Sequence, residues 1–102
     1  PNEKMPLTYD SFPAVEQYLR AGAVEKGSEK IQQLAANSFA MLDYYLSLPP
    51  HFARAVEEEQ EREMGLLQNL LVITRRYQLT ELNKEIDGQV QNLIGQLSGE
   101  LN

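Results

Sequence analysis

The stretch Leu79-Thr80-Glu81-Leu82-Asn83-Lys84-Glu85-Ile86-Asp87-Gly88-Gln89-Val90-Gln91-Asn92-Leu93-Ile94-Gly95-Gln96-Leu97 decides the fold class of this chain. At about 100° per residue, Leu79, Leu82, Ile86, Val90, Leu93, Ile94 and Leu97 fall within about 120° of arc. The opposite side carries Glu81, Lys84, Glu85, Asp87 and Gln91. This pattern predicts an amphipathic α-helix from about Thr80 to Leu97.

Upstream, a second helical pattern runs from about His51 or Phe52 to Arg76, with Phe52, Val56, Leu67, Leu70, Leu71 and Thr74 on one face. Glu59 and Glu63 fall on that same face and interrupt it. Neither proline nor glycine separates this pattern from the last helix. Extended backward, however, the last stripe would take in Gln68, Arg75 and Arg76, nearly opposite the stripe of the preceding segment. A straight rod would therefore face two ways. The expectation is a break near Tyr77-Gln78-Leu79-Thr80, with Thr80 as N-cap and the two helices as a hairpin. The alternative is one long helix whose halves are covered by different partners in a dimer.

A further helix starts somewhere in residues 23–29, with Ser28 a candidate cap, and ends near Ser47. Ile31, Leu34, Ala35, Ser38, Met41, Leu42, Tyr45 and Leu46 share its broad apolar face, while Gln33, Asn37 and Tyr44 lie on the other side. Pro49-Pro50 must end it, because proline lacks the N–H of the helical ladder and disfavours helix in the residue before it. A short first helix is expected from Ser11 to Ala21, with Asp10 or Ser11 as cap. Its apolar face holds Phe12, Val15 and Leu19, Pro13 sits in the first turn, and Gly22 is the stop. Residues 1–10 read as an irregular lead-in. The fold class is thus all-α: a small bundle of about four helices forming a single domain over residues 11–102, with dimerisation as one way to complete its core.

Composition narrows the chemistry. The 102 residues suffice for one domain. Nine Lys and Arg stand against fifteen Asp and Glu, a net charge of −6. That balance disfavours a broad nucleic-acid footprint, which needs cations to neutralise phosphates, and adhesion to anionic membranes. The absence of cysteine excludes disulfides and thiol chemistry. No apolar run approaches the roughly 18 residues of a membrane span. Pro1-Asn2-Glu3-Lys4-Met5 lacks the apolar core of a signal peptide. The expected compartment is the cytoplasm.

Candidate sites are few. His51 is the sole histidine, and the Glu-to-His spacing of helical di-metal sites is absent, because Leu48 stands three residues before it. The run Glu57-Glu58-Glu59-Gln60-Glu61-Arg62-Glu63 cannot converge on a cation, since neighbouring helical side chains splay about 100° apart. It reads as a solvated face. Glu59 and Glu63 are the exceptions, occupying places where a core-facing helix should be apolar. Arg75-Arg76 suits the negative end of a helix dipole. Gly65, Gly88 and Gly95 mark either helix crossings or tolerated surface positions. No phosphate loop, nucleophile elbow or dinucleotide fingerprint occurs, so neither an enzyme nor a cofactor or metal is expected.

The leading expectation is a non-enzymatic protein–protein interaction module: a subunit, adaptor or small chaperone. The expected partner-binding residues are Tyr44, Glu59, Glu63, Leu82, Ile86, Val90, Leu93 and Leu97, with self-association through the last helix as the leading form. The rival is a helical transcription or signalling regulator contacting nucleic acid through Arg75 and Arg76, against which the net charge argues.

Overall fold

The computed structural model of the chain describes residues 12–98. Four α-helices follow one another: α1 (Phe12–Arg20), α2 (Val24–Leu46), α3 (Glu57–Arg76) and α4 (Thr80–Ser98). Two 3₁₀ turns, Pro50–Phe52 and Arg54–Val56, lead into α3. The expected lead-in and the Asp10 or Ser11 cap lie outside the described residues.

The helix α3 is the central element. It packs against both α2 and α4, while those two touch each other sparsely. Being covered from two sides, α3 buries a wide arc: Leu66, Leu67, Leu70, Leu71, Ile73 and Thr74. Leu66 and Ile73 lie outside the single stripe read from the sequence, and the second neighbour explains them. Around this centre α2 contributes Ile31, Leu34, Ala35, Ser38 and Leu42, and α4 contributes Leu82, Ile86, Val90 and Leu93. The short α1 adds Val15 and Leu19 against α2. The bundle is thin, 46 × 32 × 15 Å, as expected when helices lie beside a central one.

The seam between α1 and α2 depends on a glycine that the sequence did not single out. A Cβ on Gly27 would come within 2.5 Å of Leu19 Cδ2 and 2.9 Å of Leu19 Cγ. The helices approach too closely there for alanine without a shift of the buried leucine. Ser28, a candidate cap, is inside α2 instead, because that helix already begins at Val24.

Both tight turns close in the same way. After α1, Ala23 N–H donates to Tyr18 O (2.9 Å) and Gly22 N–H to Leu19 O (3.1 Å), with Gly22 at φ +84°. After α3, Leu79 N–H donates to Thr74 O (2.8 Å) and Gln78 N–H to Arg75 O (3.1 Å), with Gln78 at φ +60°. Each pair is a Schellman ending, which turns the chain at one left-handed residue. Glycine fills that place naturally; glutamine pays a steric cost there. The expected break at residues 77–80 is therefore a hairpin turn built without glycine. Thr80 is the first residue of α4 rather than its cap, since Leu79 O already accepts the Asn83 N–H at 2.9 Å.

A polar clasp sets the register beside this turn. Thr74 is fully buried, and its hydroxyl contacts Leu70 O at 2.9 Å, within reach of Leu71 O at 3.1 Å. Asn83 Nδ2 donates to Leu71 O (3.0 Å) and to Thr74 Oγ1 (2.9 Å). These bonds satisfy the buried polar atoms and hold the start of α4 antiparallel to the end of α3.

Candidate protein-interaction surface

The proline pair shapes the other end of the molecule. At the end of α2, Ser47 N–H donates to Asp43 O and Tyr44 O, both at 3.1 Å, and Ser47 Oγ donates to Tyr44 O at 2.7 Å. Pro49 is extended (φ −58°, ψ 151°), and Phe52 N–H and Ala53 N–H close the first 3₁₀ turn on Pro49 O and Pro50 O. The third helix was expected to start at His51 or Phe52; its α-helical part starts at Glu57. Phe52 is consequently off the core face and 45% exposed, its ring 4.4 Å from that of His51. Val56 is half-buried.

The start of α3 explains part of the acidic run. Glu57, Glu58 and Glu59 occupy its first turn, where negative charge meets the positive end of the helix dipole. Glu63 gains nothing from that dipole. Glu59 and Glu63 instead lie half-buried on the arc that α3 turns toward α2. Oε1 of Glu59 is buried and has no hydrogen-bond partner among the described residues. Beside them is Tyr45, whose phenol is held above its ordinary pKa. Burial is the main cause, followed by the charges of Glu63 and Glu59, with Arg62 opposing. Tyr44 stacks obliquely on Tyr45, with ring centroids 5.8 Å apart and planes at 58°, and is 57% exposed. Met41, expected on the buried face, is 39% exposed at the flank of the same helix.

Of the expected partner-binding residues, Glu59 and Glu63 lie beside Tyr45, the ring against which Tyr44 is tilted. Four others go elsewhere. Leu82, Ile86, Val90 and Leu93 are between 0 and 9% exposed and belong to the chain's own core. The cause is the hairpin, which lays the α4 stripe on α3. Leu97 lies in α4, but its side chain is outside the described residues; Ile94 is 39% exposed. The sequence reading missed Met41 and Phe52 as surface residues. For Phe52 the available signal was Pro49-Pro50, which forbids one helical phase from continuing across the junction; Met41, inside α2, carried no such signal.

Charge is distributed unevenly. Residues 41–64 carry Asp43, Glu57, Glu58, Glu59, Glu61 and Glu63 against Arg54 and Arg62, a formal charge of −4. The remaining described residues carry Glu16, Glu25, Glu29, Glu81, Glu85 and Asp87 against Arg20, Lys26, Lys30, Arg75, Arg76 and Lys84, and balance to zero. Arg76 is engaged within the chain: its Nη1 donates to Glu16 Oε2 at 2.7 Å, and Glu16 also faces Arg20 at 3.6 Å. This pair ties α1 to the end of α3.

The concave features are open to solvent; one of 600 Å³ lies along α1 at Ala14, Gln17, Tyr18 and Ala21. An open groove of 340 Å³ between α2 and α4 is lined by Gln32, Ala36, Phe39, Leu82, Glu85 and Gln89, among others. Among the described residues, no three or more His, Asp or Glu side chains are grouped to hold a metal ion. No helix among them is long and apolar enough to cross a membrane. No protein-family model matches the chain, and no curated protein or solved structure matches it at a significant level.

Proposed function

We propose that the protein is a non-enzymatic interaction module that meets a protein partner with the end of the molecule formed by the last turns of α2, the 3₁₀ turns and the first turns of α3. One observation carries this reading. Half-buried Tyr45, with exposed Tyr44 tilted against its ring, lies beside Glu59 and Glu63, two carboxylates on the inner arc of a helix where apolar side chains would hold the fold together better. A buried polar atom without a partner costs stability, on the order of 1–3 kcal/mol for a neutral group and more for a charged one. Such residues make sense as recognition elements rather than as core. Tyrosine is among the residues over-represented where binding energy concentrates.

The test is site-specific photo-cross-linking in the native source, with a benzophenone side chain placed in turn at Tyr44, Phe52, Val24, Val72 and Ile94, all exposed. The reading expects a defined protein adduct from Tyr44 or Phe52. It fails if neither Tyr44 nor Phe52 yields a protein adduct, whether or not Val24, Val72 or Ile94 does.

A further inference from the structure

Resting on that reading, we infer that the occupant of this end is a basic segment of a partner protein that also carries apolar side chains. The chemistry follows from what the end offers. Met41, Tyr44 and Phe52 expose apolar area, and residues 41–64, the segment that carries them, hold the whole formal charge of the described chain. Exposed carboxylates interact weakly with distant charge in salt, but a cation seated on an apolar patch next to them is partly desolvated and attracted more strongly. Tyr44 can also receive a lysine or arginine on its ring face. Glu59 and Glu63 are only half-buried, so a cationic side chain seated at this end can pair with the exposed part of either carboxylate.

The same charges reject the rival occupants. A second copy docked through the same end would set −4 against −4. The rest of the described chain sums to zero, so it offers such a copy no net positive charge to balance the −4. Nucleic acids and anionic bilayers are repelled for the same reason.

The experiment titrates the full chain with a fluorescent peptide of about fourteen residues, lysine and leucine arranged at helical spacing. Saturable 1:1 binding is expected, weakening at least about tenfold when ionic strength rises from about 0.1 to 1 M and the Debye length falls from about 10 to 3 Å. Glu59→Gln with Glu63→Gln weakens it about tenfold, a loss in the range measured for close charge pairs. Tyr44→Ala, at an exposed position that leaves the fold intact, weakens it about fivefold. Glu81→Gln with Glu85→Gln removes the same charge from α4 and changes affinity less than about twofold. A version of the peptide with serine in place of leucine binds at least about tenfold more weakly, having lost its apolar contacts.

Three outcomes overturn the inference: no binding, equal weakening by the two double variants, or equal binding of the serine peptide. Each leaves the interaction module standing if the cross-links of the preceding section are found, because those identify a protein contact whatever its charge.

Discussion

The helix α4 and the first half of α3 both turn one side inward, but with different materials. The inner side of α4 is Leu82, Ile86, Val90 and Leu93, all buried. The corresponding side at the start of α3 is Glu59, Gln60 and Glu63, with Val56 just before the helix, all half-buried. Each apolar side chain fully removed from water contributes about 1.5–3 kcal/mol. The α4 stripe therefore anchors the bundle, whereas the acidic arc contributes little and carries a desolvation cost. An uninterrupted stripe is consumed by the fold. The interrupted one is where we propose that a partner docks.

Substituting an α4 core position should produce the largest effect. Ile86→Asp places a carboxylate where the native side chain is 2% exposed. The expected cost exceeds about 4 kcal/mol, a large part of a domain's total stability of about 5–15 kcal/mol. Thermal circular dichroism should show loss of the cooperative transition. A variant that stays folded and loses only an association would move α4 to the recognition side of the comparison.

The acidic arc should respond in the opposite direction. Glu59→Leu with Glu63→Leu completes the apolar side of α3 and is expected to raise stability by about 1–2 kcal/mol, read as a higher urea midpoint at unchanged slope. The same variant should lose binding of the basic peptide. Greater stability with undiminished binding would show that these carboxylates do not recognise anything.

A smaller gain is expected at the hairpin that lays α4 on α3. Gln78→Gly removes the side chain from a residue at φ +60° and should add about 0.5–1 kcal/mol, also measured in urea. If stability falls instead, the Gln78 side chain supports the turn in a way its backbone does not reveal.

The finest probe is titration. In the folded chain the Tyr45 phenol is raised above its ordinary value by burial first, then by Glu63 and Glu59. A raised phenol pKa favours the neutral ring in the folded state. Its stabilising contribution is thus complete below the unfolded value of about 10 and is lost as pH climbs through the higher folded value. Alkaline unfolding should therefore begin earlier than in Tyr45→Phe, which has no phenol to ionise. Glu63→Gln should lower the Tyr45 value but leave the larger part due to burial, as followed by tyrosinate absorbance against Tyr45→Phe. An unchanged value in Glu63→Gln would separate the carboxylate from the ring.

Much of the architecture was legible in local patterns. Helical spacing identified four helices, Pro49-Pro50 located the end of α2, and opposed stripes on either side of Tyr77 to Thr80 called for a turn there. Periodicity records which residues of one helix lie together, and a helix keeps that geometry wherever it packs. The anomaly of Glu59 and Glu63 was visible for the same reason, as charge out of phase with a stripe.

What no local pattern could settle was which stripe meets which. Whether Leu82, Ile86, Val90 and Leu93 serve a partner or the chain itself depends on the hairpin closing at Gln78 and on the Thr74–Asn83 clasp, contacts between segments that a periodicity does not pair. The same holds for Gly27, whose importance arises from Leu19 on another helix, and for Phe52, turned outward by the 3₁₀ junction. Amphipathic helices emerge residue by residue because backbone geometry repeats. The destination of their apolar faces was decided only in the packed chain, because burial is a property of two surfaces and each helix encodes one of them.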